Sequence, residues 1–297
     1  MSEKNAHNNG VIYAASAFVV WGIVPIFWKF MAHVPAVEIV MHRIVWTLLF
    51  AGVTIWALDK WPLLKTALTT RRTLQALTMS AFLIGVNWGL FIWAVNVGRI
   101  AETSLGYYIN PLVNFLLGTL LLGERLTRLQ LLAVALATAG VLNQTIAVGV
   151  VPWVSLTLAV SFGFYGLIRK QVPVESIVGL TVEAIVLTPI ALVYLVYLSV
   201  TGSGMFLASD RVTDALLVLA GPITAMPLLL FAAGVRRVKL STIGFLQYIA
   251  PSIALVIAVV MYDEPFTPAH AVTFGFIWAA LALISWEAFR RERYSAA

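Results

Sequence analysis

Two stretches of this chain, LGYYINPLVNFLLGTLLLGERLT at residues 105–127 and GFLQYIAPSIALVIAVVMYDEPFT at residues 244–267, are versions of one segment. Each contains Tyr-Ile-x-Pro and, thirteen positions after the proline, a glutamate. Pro111 in the first copy corresponds to Pro251 in the second, an offset of 140 residues in a chain of 297. A segment that recurs at nearly half the chain length indicates an internal duplication.

Two other pairs of segments recur at nearly the same spacing. Residues 38–45 align with residues 179–186, and Trp21-Gly22 aligns with Phe162-Gly163, both at an offset of 141. Agreement between three separate segments argues against a chance match and predicts two related domains. These domains comprise residues 1–147 and residues 148–297.

The composition is that of a membrane protein. Hydrophobic residues make up 61% of the chain and charged residues 11%, whereas soluble domains contain about 25% charged residues. Apolar runs of about 20 residues, enough to cross a hydrocarbon core, predict an all-α membrane protein with ten transmembrane helices as two five-helix repeats. Because five is an odd number, the second repeat is inverted relative to the first. The predicted helices span residues 11–31, 36–58, 73–97, 102–122, 128–147, 151–169, 177–200, 213–235, 241–262 and 268–289.

The distribution of basic residues predicts the orientation in the membrane. Of the 19 Lys and Arg residues, only Lys29, Arg99 and Arg211 fall on the side opposite the termini, and Arg43 lies within a span. Cytoplasmic loops carry an excess of Lys and Arg, so both termini are predicted to be cytoplasmic. The longest cytoplasmic loop, residues 59–72, mixes Trp and Leu with cations, which predicts a short helix lying in the membrane interface.

Three ionisable residues lie deep within predicted spans: Arg43, His42 and Glu183. A charge at the centre of a bilayer costs about 2.5–3.5 kcal/mol on insertion scales, so such groups usually face a cavity or a partner. Arg43 is a candidate clamp for an anionic group of a substrate. Glu183 and His42, which occupy equivalent positions in the two halves, are candidates for proton coupling. Structural pairing or hydrogen bonding between helices is the alternative for all three.

Polar and aromatic residues near the middle of the predicted fourth and ninth helices form a candidate binding surface. Paired proline interruptions at equivalent positions indicate a midplane binding site, so Pro111 and Pro251 are predicted to break their helices. Amide hydrogen bonding between helices is the structural alternative, although it stabilises membrane proteins by only about 0.6 kcal/mol on average. The predicted substrate-binding residues are Arg43, Trp46, Asn87, Trp88, Tyr107, Asn110, Asn114, Gln247 and Tyr248.

These segments resemble the EamA-type members of the drug/metabolite transporter superfamily and, more closely, the RarD subgroup. The matching stretches include WGIVPIFWK at residues 21–29, SLGYYINPLVN at 104–114, GPITAMP at 221–227 and FLQYIAP at 245–251, and the similarity covers almost the whole chain. The resemblance implies a ten-helix carrier in the bacterial inner membrane. Members of this family export or import small metabolites, amino acids and drugs, and RarD proteins are associated by name with chloramphenicol sensitivity.

We therefore expect a secondary transporter that moves a small aromatic or amphipathic metabolite or drug, such as a chloramphenicol-like compound, by proton-coupled alternating access. An uncoupled facilitator or exchanger of amino-acid-like metabolites stays open. An intramembrane lipid-modifying enzyme is a remote alternative, because the sequence has no HExxH, GxSxG or DxxD-like motif. We expect no cofactor, no metal site and no nucleic acid. The expected partners are a small-molecule substrate and the lipid bilayer, with the protein as a monomer or weak homodimer.

Overall fold

The structure is a computed structural model that describes residues 3–123, 127–149, 151–238, 243 and 246–295. Within these ranges the chain is α-helical and contains no strand. The helices are α1 (Glu3–Lys29), α2 (Ala36–Ala57), α3 (Trp61–Thr69), α4 (Arg71–Asn96), α5 (Ile100–Leu122), α6 (Arg128–Val148), α7 (Trp153–Gln171), α8 (Ser176–Thr201), α9 (Arg211–Val235), α10 (Ile249–Met261) and α11 (Pro268–Ser295).

The short helix α3 lies within residues 59–72, where a short helix is predicted, so the helix is confirmed and its place in the membrane interface stays a prediction. Its Leu64 and Ala67 side chains are buried against the rest of the protein, whereas Trp61 and Leu63 are exposed. Such a division of faces is typical of a helix that lies along a membrane surface. Each of the ten predicted spans overlaps one of the other helices.

The exterior of the bundle is apolar, and part of its interior is polar. Val200 and Ile146 expose 81% and 80% of their surface, whereas Arg43, Asn87 and Glu183 are buried. This arrangement is the reverse of a soluble protein and identifies a multi-pass membrane protein. Within the described ranges, six helical segments are long and apolar enough to cross a membrane: Asn8–Lys29, Ala36–Ala57, Arg71–Asn96, Arg128–Ala147, Ser176–Thr201 and Arg211–Val235.

The predicted helix over residues 241–262 is interrupted next to its proline. α10 begins at Ile249, and Gln247 and Tyr248 form a turn before it. Pro251 accounts for the turn, because it has no N–H to donate to the carbonyl of Gln247 and its ring would crowd that carbonyl in a continuous helix. The earlier part of this predicted helix, residues 239–242, 244 and 245, lies outside the described residues.

The helix break predicted at Pro111 is wrong. α5 continues through this position as one helix from Ile100 to Leu122. A proline removes one backbone hydrogen bond, and a helix enclosed by other helices tolerates this loss because neighbouring groups satisfy the freed carbonyl. Of the two predicted breaks, the structure contains only the one beside Pro251.

The helices pack according to a regular scheme. α2 lies against α8 and α9, α4 against α7 and α8, α1 against α9 and α10, α5 against α7 and α10, and α6 against α11. In chain order, α1 matches α7, α2 matches α8, α4 matches α9, α5 matches α10 and α6 matches α11. Under this matching each of these contacts has an equivalent. The contact of α2 with α9, for example, is equivalent to that of α8 with α4, and the contact of α2 with α8 is equivalent to itself. The first and second halves of the chain therefore contact each other along most of their length.

The backbones of α2 and α9 touch where these helices cross. A Cβ atom on Gly221 would lie 2.4 Å from the carbonyl carbon of Trp46 and 2.7 Å from the nitrogen of Thr47. The hydroxyl of Thr47 donates a hydrogen bond to the carbonyl of Gly221 at 3.3 Å. Only glycine permits this approach, which is a common device for helix packing in membranes.

We predict that Gly221→Ala destabilises the protein, because the added methyl group would meet backbone atoms that cannot move independently. The expected loss is about 1–3 kcal/mol, measured as a lower unfolding temperature of the purified protein in detergent. Gly52→Ala on α2 is the matched control, since a Cβ there meets no atom within 4 Å. Equal unfolding temperatures for the two variants would contradict the prediction.

Candidate substrate cavity

A cavity lies in the middle of the bundle, between α1, α2, α4, α5, α7, α9 and α10. The space between its lining atoms is about 760 Å³, a figure that includes open solvent, and about 50 Å³ of it can be occupied by the centre of a water molecule. Much of the lining is aromatic and is formed by Phe18, Trp21, Trp28, Trp88, Phe91 and Phe162. The polar lining residues are Arg43, Asn87, Tyr107, Asn110, Thr224 and Gln247.

Arg43 carries a positive charge into this cavity from a position two turns inside α2. It is 5% exposed, and its guanidinium carbon lies 4.1 Å from the ring centroid of Trp88 and 5.0 Å from that of Trp28. Such cation–π contacts contribute about 0.5–2 kcal/mol each, with the larger values at desolvated sites. The rings stabilise the charge through the face of the guanidinium group and leave the N–H groups at its edge for other partners.

Several buried polar atoms of the cavity have no protein partner among the described residues. They are Nε and Nη1 of Arg43, Oδ1 of Asn110 and Oγ1 of Thr224. Buried polar groups in native proteins are hydrogen-bonded with few exceptions. These atoms are therefore the groups that a bound solute or water molecule would satisfy.

Other amides of the predicted site hold helices together. Asn87 on α4 donates to the carbonyl of Leu158 at 3.0 Å and to the hydroxyl of Ser161 at 2.9 Å, both on α7. Asn114 on α5 donates to the side-chain oxygen of Gln247 at 3.0 Å. The amide hydrogens in these bonds are already used, so Asn87 and Asn114 have a structural role.

One wall of the cavity is a continuous series of aromatic rings. The ring of Phe162 lies 5.6 Å from that of Trp21 and 6.2 Å from that of Tyr107, and Tyr107 lies 5.7 Å from Phe91. These centroid distances are typical of favourable edge-to-face and tilted contacts. The wall can contact a flat or branched apolar body over a large area.

Glu183 does not line the cavity but belongs to a separate buried cluster. Its Oε1 atom accepts a hydrogen bond from the Ser80 hydroxyl at 2.5 Å and lies 3.4 Å from Nη1 of Arg169. Arg169 also donates to the carbonyl of Ser176 at 3.1 Å. A Cβ on Gly179 would lie 1.6 Å from Nη1 of Arg169, so the absence of a side chain on α8 makes room for this ion pair.

His42 lies in the first half of α2, beside the loop that joins α8 and α9. Its Nε2 atom is 4.0 Å from Oε1 of Glu38, and its ring centroid is 4.7 Å from that of Phe206 in the loop. The same Glu38 oxygen accepts hydrogen bonds from the backbone N–H groups of Met205 at 2.7 Å and Phe206 at 3.3 Å. His42 is thus part of the contact between α2 and this loop.

The loop ends at Asp210, which caps the N-terminus of α9. Its carboxylate accepts hydrogen bonds from the Thr213 hydroxyl at 2.7 Å and from the N–H groups of Thr213 at 3.0 Å and Val212 at 2.8 Å. These bonds, above all the one from the Thr213 hydroxyl, lower the pKa of Asp210 to about 2. Thr213 also forms a hydrogen bond with His33 at 2.9 Å, which connects the first turn of α9 with the chain before α2.

The structure brings six of the predicted substrate-binding residues to the cavity: Arg43, Asn87, Trp88, Tyr107, Asn110 and Gln247. Three others do not line it. Trp46 contacts Phe206 beside the loop, with ring centroids 6.2 Å apart. Asn114 is held by Gln247, and Tyr248 packs against Tyr108 at 5.8 Å. Helical spacing predicted that these three side chains line the cavity, but in the structure each contacts other side chains instead.

Sequence reasoning missed several residues in and around the cavity, among them the following four. Trp28 lies seven positions after Trp21, on the same face of α1, and this helical spacing could have revealed it. Phe162 is the repeat counterpart of Trp21, and Thr224 lies between Pro222 and Pro227 in α9. The fourth, Arg169, was counted only as a loop cation. No local signal shows that it turns inward to Glu183.

Comparisons with known proteins agree with this architecture. Residues 8–143 match the EamA-like transporter family. Protein RarD from Escherichia coli is 44% identical over 284 residues, which cover 96% of each chain. The chain belongs to the RarD subgroup of the drug/metabolite transporters. The uncharacterized transporter YojE from Bacillus subtilis is 45% identical over 290 residues, again with 96% of each chain covered.

Two more distant matches extend the comparison. The chloramphenicol-sensitive protein RarD from Pseudomonas aeruginosa is 32% identical over 291 residues and 97% of each chain. A protein of known crystal structure superimposes with a TM-score of 0.65 at 14% identity, covering 95% of this chain and 99% of its own. This last match is a similarity of fold alone.

We predict that Arg169→Met and Glu183→Met each destabilise the protein by about 3–5 kcal/mol, because each leaves one buried charge without its partner. The double variant should be less destabilised than the two single variants combined. Unfolding temperatures of the four proteins in detergent form the double-mutant cycle that measures this coupling.

The control for this cycle is the pair Lys60 and Glu175, which also form an ion pair but are partly exposed. The same changes to methionine at those positions should cost about 0–1 kcal/mol. Additive losses at Arg169 and Glu183 would show that the two side chains do not stabilise each other.

Proposed function

We propose that the protein is a secondary transporter that moves a small aromatic or amphipathic metabolite or drug across the bacterial inner membrane by alternating access. The observation that carries this proposal is the central cavity, which both halves of the chain line together. Arg43 and Asn110 come from the first half, and Phe162 and Thr224 from the second. A site at the interface of two halves becomes accessible from either side when the halves rock against each other.

The two halves, residues 1–147 and 148–297, are inverted five-helix repeats in this proposal. The contacts of two equivalent glycines support it. A Cβ on Gly22 would lie 2.7 Å from the side chain of Ile253, and a Cβ on Gly163 would lie 2.7 Å from the side chain of Val113. Ile253 follows Val113 by the repeat offset of 140. The contact of Gly22 with Ile253 is therefore equivalent to that of Gly163 with Val113, with the roles of the two halves exchanged.

Equivalent aromatic residues also meet each other directly. Trp21 lies 5.6 Å from Phe162, its counterpart at an offset of 141, and Tyr108 lies 5.8 Å from Tyr248, its counterpart at an offset of 140. Residues related by a twofold axis meet in this way only when they lie close to the axis. With such an axis in the plane of the membrane and five helices in each repeat, both termini are on the same side, and the distribution of basic residues favours the cytoplasmic side.

Contacts between the halves occur at both ends of the cavity. Toward the proposed cytoplasmic side, Ser80 of the first half donates to Glu183 of the second. Toward the opposite side, Glu38 of the first half accepts from Met205 and Phe206 of the second. Alternating access requires one set of these contacts to open while the other stays closed.

Proton coupling is proposed to act through Glu183 and His42. These residues occupy equivalent positions in the two halves, and each lies in the contacts at one end of the cavity. A proton on Glu183 would remove the charge that attracts Arg169 and would alter the bond from Ser80. An uncoupled facilitator or exchanger of amino-acid-like metabolites is the second candidate, which the free N–H groups of Arg43 favour, since they suit a carboxylate.

The relatives support a transporter rather than an enzyme, because several are themselves named as transporters. Both halves of the cavity are in one chain, so a monomer is sufficient for transport and a weak homodimer is compatible with it. The lipid bilayer and the small-molecule substrate are the proposed partners.

The test is solute accumulation in proteoliposomes under an imposed pH gradient. Labelled chloramphenicol and labelled aromatic metabolites serve as substrates, and protein-free vesicles report passive entry. Accumulation that depends on the protein supports the transporter, and its loss when the gradient is collapsed supports proton coupling. Equal entry into vesicles with and without folded protein, for every solute tested, would count against the proposed substrate range.

We predict that Glu183→Gln abolishes gradient-driven accumulation but spares substrate binding in protein that is shown to be folded, because glutamine keeps the shape of the side chain and cannot carry a titratable proton. Since glutamine also leaves Arg169 without its charged partner, binding of the substrate separates lost coupling from lost stability. Glu175→Gln is the matched control, a partly exposed carboxylate away from the cavity. Undiminished accumulation by the Glu183 variant would remove this residue from the coupling mechanism.

A further inference from the structure

The charge on Arg43 has no carboxylate partner among the described residues. The two carboxylates near the ends of the cavity have other partners: Oε1 of Glu38 accepts backbone N–H groups of Met205 and Phe206, and Glu183 pairs with Arg169. A buried charge without a counter-ion is costly, and proteins retain one where it has a function. Cation–π contacts offset only part of this cost.

The guanidinium group of Arg43 has two edges that a carboxylate can approach with both oxygens, Nε with Nη2 and Nη1 with Nη2. Its carbon lies over the Trp88 ring at 4.1 Å and near Trp28 at 5.0 Å, and the unpaired Nε and Nη1 atoms lie one on each of these edges. Two adjacent guanidinium N–H groups match the two oxygens of a carboxylate in a bidentate pair. A lysine or a neutral donor could not provide this arrangement.

The other residues that line the cavity indicate how many charges the ligand carries and what kind of uncharged body it has. Arg43 is the one charged side chain lining the cavity within the described ranges, so a second negative charge on the ligand would have no counter-charge. This favours a monoanionic carboxylate over a phosphate ester. The aromatic wall around Trp21 and Phe162 suits an apolar body, and the free oxygens of Asn110 and Thr224 can accept a donor from it.

We infer that the cavity binds monoanionic organic acids, with the carboxylate held by one edge of the Arg43 guanidinium group and an aromatic or branched apolar body against the ring wall. The inference rests on the proposed function in that it names the substrate class of the same cavity. It also separates substrates by charge: a neutral compound such as chloramphenicol lacks the group that Arg43 would hold.

The test compares matched acids and amides by isothermal titration calorimetry with the full-length protein in lipid nanodiscs at pH 7. The probes are 3-phenylpropionate against 3-phenylpropionamide and indole-3-acetate against indole-3-acetamide. We expect the acid to bind about ten- to hundredfold more tightly than its amide, as hydrogen bonds to a charged group would give. Equal affinity within both pairs, or no binding of either acid, would overturn the inference.

Variants of Arg43 assign the preference to this residue. Arg43→Gln should reduce the affinity for the acid about ten- to hundredfold and change that for the amide little. Arg43→Lys keeps the charge but loses the edge with two donors, so it should retain a weaker preference and serves where the glutamine variant does not fold. Arg99→Gln is the control, since Arg99 lies outside the cavity beside Glu102. A preference that persists in both Arg43 variants at full strength would overturn the assignment.

The binding experiment and the transport experiment fail independently. Acid binding that depends on Arg43, without accumulation of any acid in vesicles, would support the inference and contradict the proposed transport. Accumulation of neutral chloramphenicol that Arg43→Gln leaves unchanged, without binding of either acid, would support transport and contradict the inference.

Discussion

The buried guanidinium group of Arg43 is the constraint on which the centre of this structure depends. An arginine two turns inside an apolar helix must be supplied with partners by the fold, because the surrounding lipid offers none. Here the partners are two indole rings, Trp28 from α1 and Trp88 from α4, which lie within 5.0 Å of the guanidinium carbon. The cavity lies beside this charge, between the three helices that carry these side chains and α5, α7, α9 and α10.

Close helix contacts make this arrangement possible. Helices in a membrane gain little from hydrophobic burial, so they associate through close packing and interhelical hydrogen bonds. Gly221 brings the backbones of α2 and α9 together, and Gly22 and Gly163 each receive an apolar side chain from the opposite half. The polar clusters around Glu38 and Glu183 connect the same halves at the two ends, so that tight contacts surround a loosely filled centre.

The helical architecture is predictable from the sequence because the apolar segments and the polar and turn residues between them are local signals. The short helix α3 and the placement of Arg43, Asn110 and Gln247 around one cavity follow from such signals. The inward turn of Arg169 does not, because it depends on the space above Gly179 on another helix. The unbroken α5 at Pro111 was missed for the same reason: whether a proline breaks a helix depends on the neighbours that enclose it.

The contribution of both halves to the cavity has a consequence for the covalent structure of the chain. α6 does not line the cavity, and it packs against α11 at the edge of the bundle, so the link between α6 and α7 lies away from the site. What joins the halves around the cavity is the noncovalent contact of α1, α2, α4 and α5 with α7 to α10. Two polypeptides, one ending after α6 and the other beginning before α7, would keep every one of these contact surfaces. Their assembly would need no peptide bond between α6 and α7.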